Sequence, residues 1–275
     1  MDFLDGQRGA WAGLAASWDK WDALIMDQLA PVGAAIIDGL GIAADQHHLD
    51  IASGTGEPGL TIAKLAPQGR VVLTDLSPEM LSVASRRAQA AALDIETVVC
   101  SADDLPFPDA SFDSVSVRFG YMFFPDLARA TAEFVRVLRP GGRLCASVWV
   151  DPSANPWTSV AMQAIATSVA LPTPAPDAPS MYRFAAPGAV SRLYDAAGLG
   201  TISEWDVPVT LVTASADQYW TMISEHVSLA AAALQQVTPS ARDHIRSQAI
   251  AAVSAFEHEG TIRVPGLARC IVGTK

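Results

Sequence analysis

Two aspartates and the small-residue loop between them carry the strongest chemical signal in this chain. Asp50 ends one short apolar stretch, and Asp75 ends the next one, about twenty residues beyond the loop. The loop contains four small residues, Ala52, Ser53, Gly54 and Gly56. Its glycines permit a tight turn and a close approach of the backbone to a ligand. An acid at the end of the second stretch can accept hydrogen bonds from both hydroxyls of a ribose. The spacing therefore predicts a site for a nucleoside-containing ligand.

Several classes of protein share a glycine loop of this kind. The dinucleotide pattern has three spaced glycines, the last of which lets a helix approach the pyrophosphate, whereas the cluster here is compact. No Gly-Lys-Ser/Thr triplet follows it, which excludes the phosphate cradle of a nucleoside triphosphatase. An NAD-dependent oxidoreductase and a tight turn without a ligand remain as alternatives.

Alternating strand and helix patterns must position this loop. Strands are predicted at 47–52, 70–75, 95–100, 112–118, 142–150, 201–212 and 262–273. Helices are predicted at about 57–66, 78–92, 126–138 and 187–198. The alternation predicts an α/β fold with a Rossmann-like, doubly wound, mostly parallel seven-stranded sheet.

The segments outside the alternating strands and helices are predicted to cover a pocket. Residues 1–46 have helical spacing and form a lid segment, in which Trp18 and Trp21 either close the pocket or simply pack. Residues 47–150 form the ligand-binding core. Residues 151–275 complete the sheet and add a helical cap at 151–190, which is rich in proline, and at 215–258.

Composition restricts the partners. The chain has 275 residues, half of them hydrophobic, and a net charge of −11. This charge argues against nucleic acid and against stable association with an anionic membrane. The first ten residues contain acids and no apolar core, and no uncharged apolar run is long enough to span a bilayer, so a cytoplasmic protein is predicted. The three cysteines and five histidines are scattered, which predicts no metal site.

Three further segments, 101–107, 111–117 and 138–144, follow the loop in a characteristic order. With them, the chain resembles the class I S-adenosylmethionine-dependent methyltransferases. The resemblance is to the small-molecule branch that includes the ubiquinone/menaquinone C-methyltransferases, and it covers about residues 47–150. It implies S-adenosylmethionine as cofactor, S-adenosylhomocysteine as product and an antiparallel strand at the sheet edge, supplied by 262–273.

The resemblance also implies roles for individual residues. Asp50 would meet the methionine amino group, directly or through water, and Ala52, Ser53, Gly54 and Gly56 would pass under the methionine and ribose. Asp75 would bind the ribose hydroxyls. The adenine would lie beside Leu76, Met80, Ala102 and Asp103. Arg118 and Phe119 would lie beside the reactive methyl group.

The sequence is less specific about the residues that would bind the methyl acceptor. Quinone C-methyltransferases typically carry Phe-Gly-Leu-Arg-Asn after the fourth strand, but Met122 and Phe123 occupy the Arg and Asn positions here, which indicates a more apolar pocket. Candidate acceptor-side residues are Tyr121, Met122, Trp149, Trp157, Tyr182, Arg183, Trp220 and His226.

Of these, Tyr121 and His226 are the candidate catalytic residues, because a phenol can bond a substrate oxygen and an imidazole can accept a proton. Two alternatives stay open: Tyr121 is a packed core aromatic, and His226 is a solvent-facing or structurally bonded histidine of a helix. We expect methyl transfer to a small, partly apolar metabolite, with O-methylation slightly favoured, by a monomer or homodimer. A relative that binds the cofactor without transferring methyl is the non-enzymatic alternative.

Overall fold

One mixed sheet organises the chain, and its strand order creates the site. The computed structural model describes residues 3–172, 174–175 and 177–275. The strands are β1 (His47–Ile51), β2 (Arg70–Asp75), β3 (Glu96–Val99), β4 (Phe112–Arg118), β5 (Leu138–Trp149), β6 (Gly200–Thr213), β7 (Glu257–His258) and β8 (Thr261–Thr274). Their order is β3-β2-β1-β4-β5-β8-β6, with β7 paired to β8. The chain leaves β1 for β2 on one side and returns to β4 on the other, so a crevice opens at the carboxyl ends of β1 and β4.

The predicted fold class is confirmed. Strands β1 to β5 are parallel to one another, and β8 is antiparallel to both β5 and β6. The strand predicted at 262–273 is thus antiparallel as expected, but it lies second from the edge, with β6 outside it. It pairs with β6 from Gly200↔Thr274 to Thr213↔Ile262. The two-residue β7 was not predicted, since so short a strand has no readable alternation.

Ten helices of four residues or more surround the sheet within the described ranges. They are α1 (Phe3–Lys20), α2 (Asp22–Leu40), α3 (Gly59–Leu65), α4 (Pro78–Ala90), α5 (Leu127–Val137), α6 (Pro156–Ala166), α7 (Ala189–Ala196), α8 (Ala216–His226), α9 (Ser228–Leu234) and α10 (Pro239–Val253). Side-chain caps start several of them: Ser77 accepts from the Met80 amide, Asp126 from Arg129 and Ser215 from Gln218. The predicted cap region 215–258 holds three helices, and the first two are separated by Val227, whose backbone is extended.

Helix α2 covers one face of the sheet. Its apolar face, which includes Ile25, Leu29, Val32 and Ile36, belongs to the main core and packs on β5, β6 and β8. By length and composition alone, α2 is the one helix in the described part of the chain that could cross a membrane. In the fold, the buried residues of α2, from Ile25 to Leu40, lie on the side that packs against the sheet.

Helices α6, α8, α9 and α10 pack together at the edge where β5 and β6 end. Helix α1 reaches across from α4 to α8. Charged contacts hold α1 in place: Lys20 pairs with Glu225, and Asp19 with Arg86 and Arg87. Ala15 is the one buried side chain of α1 among those described. Aromatic side chains also hold the helix, because Trp11 packs on Phe123 and Trp18 packs on His226.

Candidate active site

A cavity of about 760 Å³ occupies the crevice at the carboxyl ends of the parallel strands. It extends from the glycine loop to helices α6, α8 and α9. The volume falls within the range of small-molecule sites. Most of its lining is apolar, with few polar groups, which is the usual composition of a site that binds an organic ligand.

The glycine loop is tied to the second acid. Asp75 lies at the end of β2, where its Oδ2 accepts the Gly54 amide and its Oδ1 accepts the Ser77 amide, both at 2.9 Å. Burial raises the pKa of Asp75, and these amides act in the opposite direction. Because each carboxylate oxygen has a further lone pair, both remain able to accept a ribose hydroxyl.

Nine of the twelve residues predicted to bind the cofactor line this cavity. They are Ala52, Ser53, Gly54, Asp75, Leu76, Met80, Ala102, Arg118 and Phe119. Gly56 does not line it; its φ is +114°, and a Cβ there would lie 2.7 Å from Leu60 Cδ1, so it serves the turn. Asp103 does not line it either, because its Oδ1 accepts the Ser101 hydroxyl at 2.5 Å.

Asp50 supports the loop from behind, so a direct contact with the methionine amino group does not fit its position, and the contact through water stays a prediction. It is fully buried and absent from the lining. Its Oδ1 accepts the Ser116 hydroxyl at 2.5 Å, and its Oδ2 accepts the Gly59 amide at 3.1 Å. Burial raises the pKa of Asp50 to about 7. Ser116 also bonds His48 Nε2 at 2.9 Å, so a buried chain of hydrogen bonds runs behind the site.

The residues that follow β1 and β4 at the cavity have a left-handed backbone conformation. Ala52 has φ 52° and Phe119 has φ 58°, which is uncommon for residues other than glycine. The turns are also in close contact, since a Cβ on Gly120 would lie 2.6 Å from Ala52 Cβ. The conformation at Phe119 turns its ring onto Trp149, with centroids 4.3 Å apart and planes 14° apart. Strained residues of this kind concentrate at functional sites.

Aromatic and methionine side chains form the far end of the cavity. Trp149 contacts Trp157 at a centroid distance of 5.0 Å, and Met122, Met162 and Met222 complete the wall. Of the predicted acceptor-side residues, Met122, Trp149, Trp157, Tyr182, Arg183 and His226 line the cavity. Trp220 is buried outside it. This end can hold a flat, apolar molecule.

His226 is the titratable imidazole of this wall. Its ring packs edge-on against Trp18 at 4.4 Å, and its Nδ1 is buried without a hydrogen-bond partner among the described residues. Burial lowers the pKa of His226 to about 4. At neutral pH the side chain is therefore an uncharged imidazole that faces the cavity.

Tyr121 does not reach the cavity, which corrects its predicted catalytic role. The side chain is fully buried and its hydroxyl bonds the Thr131 hydroxyl. Its ring packs on Phe134 and Tyr194, and burial raises its pKa above the usual value. The backbone turn at Phe119 directs the following residue into the core, so the packed-aromatic alternative describes it.

Helix α1, which belongs to the predicted lid segment, contributes one face of the lining, formed by Leu4, Gln7, Trp11, Leu14 and Trp18. Their spacing of three and four residues places them on one side of the helix. Gln28, Thr55 and Glu57, for which no role was predicted, also line the cavity. Within the described ranges, no three His, Cys, Asp or Glu side chains cluster as a metal site.

The comparisons with known proteins agree with this geometry. Residues 49–146 match the family model described as "Methyltransferase domain". The demethylmenaquinone methyltransferase of Thermus thermophilus is 44% identical over 101 residues, 37% of this chain and 46% of that protein. The ubiquinone/menaquinone biosynthesis C-methyltransferase UbiE of Bordetella parapertussis is 48% identical over 97 residues, 35% of this chain and 38% of that protein. These matches thus span less than half of each relative.

The fold has relatives among solved structures. The YcgJ protein of Bacillus subtilis superposes with a TM-score of 0.56 over 88% of this chain and 97% of its own, at 21% identity. At that identity the likeness concerns the fold alone.

The strand order, the crevice at the β1/β4 switch and the glycine loop bonded to Asp75 have the arrangement of a class I methyltransferase domain. Residues 49–146 are such a domain, and it is related to the domain of the UbiE methyltransferases.

Proposed function

We propose that this protein transfers a methyl group from S-adenosylmethionine to a small, flat and largely apolar acceptor. One observation carries the proposal: a nucleoside end built on Asp75 and the glycine loop opens directly into an aromatic chamber at Phe119 and Trp149. Donor and acceptor can therefore occupy one water-poor cavity.

The residues present fit this cofactor. Ser53 Oγ and Thr55 Oγ1 are buried beside the loop without hydrogen-bond partners among the described residues. Ala102 and Leu76 offer an apolar slot, and Asp75 offers its free lone pairs. When bound, S-adenosylmethionine supplies an electrophilic methyl group on sulfur.

The contribution of this chain to the reaction is alignment and the exclusion of water. Rigid aromatic walls from Phe119, Trp149 and Trp157 would hold a planar acceptor in one orientation. Among the described side chains at this wall, His226 is the candidate to hold a proton of the acceptor, and its pKa of about 4 makes it a weak base. The acceptor should therefore be intrinsically nucleophilic.

The earlier preference for O-methylation has no support. Tyr121, the residue expected to bond a substrate oxygen, lies outside the cavity. The names of the relatives include C-methyltransferase and demethylmenaquinone methyltransferase, although they match this chain over less than half their length. We therefore favour an electron-rich ring carbon, as in a hydroquinone, as the methyl acceptor.

We assign the lid to residues 1–46 and the acceptor cap to 151–190 and 215–258. The contacts of α1 support this assignment, because its cavity-facing side chains stand opposite those of α6 and α8. We place the activity in the cytoplasm, in a monomer or homodimer, because the cysteines are free and the net charge is strongly negative.

Calorimetric titration tests the cofactor. S-adenosylmethionine and S-adenosylhomocysteine should bind the wild-type protein and bind the Asp75→Asn variant more weakly, while NADH should not bind. Tight NADH binding without either methionine-derived ligand would instead establish an oxidoreductase. Incubation with radiolabelled cofactor and a panel of hydroquinones, naphthols and catechols then tests transfer. Binding without transfer to any acceptor would favour a non-catalytic relative.

A further inference from the structure

Arg118 is a cation that lacks a direct anionic partner. It lies at the end of β4 and lines the cavity, and its guanidinium donates to Met26 Sδ at 3.4 Å. No carboxylate forms an ion pair with it within the described part of the chain. A thioether is a weak acceptor, and a guanidinium has five N–H donors to satisfy. Arg118 is thus poorly satisfied in the free protein.

The acids around Arg118 are engaged elsewhere. Asp22 pairs with Arg87 at 2.5 Å, and Asp50 is bonded to Ser116 and Gly59. Glu57 lines the cavity, and its Oε2 accepts a hydrogen bond from the Thr61 amide. These acids act on Arg118 through space and oppose the effect of burial, which lowers its pKa. The charges of Asp22 and Glu57, and that of Asp50 once it loses its proton, make a cation tolerable there, but they leave its hydrogen-bond donors free for a ligand.

Gln28 is a second side chain of the cavity lining with a free donor. It is only 4% exposed, lines the cavity and has a buried Nε2 without an acceptor among the described residues. Helix α2 carries both Gln28 and Met26, the residue that touches Arg118. The same helix is joined to the glycine loop, because Arg87 bonds both Asp22 and the Thr55 carbonyl. Unpaired buried donors are costly unless a ligand satisfies them.

We propose that Arg118 and Gln28 clamp the carboxylate at the aminoacyl end of the cofactor, and that Glu57 faces its ammonium group. This inference rests on the proposed function and names how its cofactor is selected. A guanidinium matches a carboxylate with two parallel hydrogen bonds, and a buried amide N–H completes the set. Glu57 replaces Asp50, whose oxygens are committed to the loop.

The clamp makes the aminoacyl group a specificity determinant. S-adenosylhomocysteine carries this group, whereas 5′-methylthioadenosine has the same nucleoside and thioether without it. The wild-type protein should bind the first more tightly than the second. Arg118→Met should weaken S-adenosylhomocysteine binding by about 10- to 100-fold and change methylthioadenosine binding by less than about threefold.

Isothermal titration of both ligands into wild type, Arg118→Met and Gln28→Met measures this discrimination. Arg143→Met is the matched control, since it also removes one positive charge, from an exposed arginine on β5 whose guanidinium bonds the Gly39 carbonyl. Gln28→Met should reduce the discrimination by about 3- to 10-fold, and the control should leave it unchanged. Arg118→Met should melt no lower than wild type without ligand, because it removes an unpaired cation from a half-buried position.

Each outcome of these titrations either supports or overturns the clamp. Loss of discrimination in Arg118→Met but not in the Arg143 control supports the clamp. Retained discrimination in both the Arg118 and Gln28 variants overturns the clamp while the proposed function stands. If wild type binds neither S-adenosylhomocysteine nor S-adenosylmethionine, the proposed function and the clamp fail together.

Discussion

The buried carboxyl of Asp50 should make the stability of this protein depend on pH in a direction opposite to that of an ordinary ion-paired aspartate. Its two oxygens bond Ser116 and Gly59, and burial raises its pKa from 3.8 to about 7. The folded protein therefore keeps the proton up to about pH 7, while the unfolded chain releases it near pH 3.8. Across this window the folded state binds more protons, so the contribution of Asp50 to stability falls as pH rises.

The size of the effect follows from the shift. A difference of about three pKa units, at about 1.4 kcal/mol each, gives about 4 kcal/mol between pH 4 and pH 7.5. Asp50→Asn has the same shape and no titration. Its oxygen can accept the Gly59 amide, and its NH₂ can donate to Ser116, which then donates to His48. The free energy of unfolding of the variant should equal that of wild type near pH 4 and exceed it above pH 7.

Guanidinium unfolding followed by tryptophan fluorescence, at pH values from about 4.5 to 8.5, measures the difference between variant and wild type. His48 and His226 titrate with the opposite sign, because burial lowers their pKa values to about 3 and about 4. Both histidines are present in both proteins, so their contributions cancel in the difference. A difference that does not change with pH would refute the account of Asp50 as a protonated loop support.

Three further substitutions test the site. Asp75→Asn should weaken S-adenosylhomocysteine binding by about 10- to 100-fold in calorimetry. It removes a charged acceptor, and its NH₂ group would face a loop N–H that the carboxylate accepts in wild type. Unchanged affinity would contradict the assignment of Asp75 to the ribose. Tyr121→Phe should lower the free energy of unfolding by about 1 kcal/mol, through the lost bond to Thr131, without altering cofactor affinity; weaker ligand binding would return this hydroxyl to the site. His226→Gln should reduce acid sensitivity: the folded pKa of about 4 lies below the ordinary 6.5, so stability is lost as pH falls through that window. The loss is up to about 3 kcal/mol before solvent screening of the partly exposed ring, and equal melting-temperature losses between pH 7.5 and pH 4.5 in both proteins would contradict it.

The core of the fold and the glycine loop with Asp75 could be read from the sequence, since their signals are local. A parallel strand buried on both faces is a short apolar run, and a tight turn next to a ligand requires glycine. Both features leave a mark within a few residues, which is why β1, β2, the loop and Asp75 were found where predicted. The same holds for helix starts such as the one at Ser77, where the capping residue is adjacent.

The directions of side chains at the strand ends were decided only by the tertiary structure. Tyr121 follows the predicted opening of β4, but the positive φ at Phe119 and the packing of Phe134 and Tyr194 direct it into the core. Asp50 ends its strand as expected, yet Ser116 and Gly59 hold its carboxylate behind the loop. Such orientations depend on residues distant in the chain, so no local pattern encodes them.

The sequence by itself thus determined the fold class and the position of the glycine loop and Asp75, because periodicity, glycine turns and an acid after a strand act within a few residues. The tertiary structure alone decided which side chains of α1 line the cavity and that β8 runs between β5 and β6. It also decided that Arg118 bonds only a thioether, and that the Gln28 amide is left without an acceptor, among the described residues. An amphipathic helix shows that it has a buried face without showing what that face meets. Likewise, whether a charged side chain finds a partner depends on which distant segments the fold brings within hydrogen-bond reach.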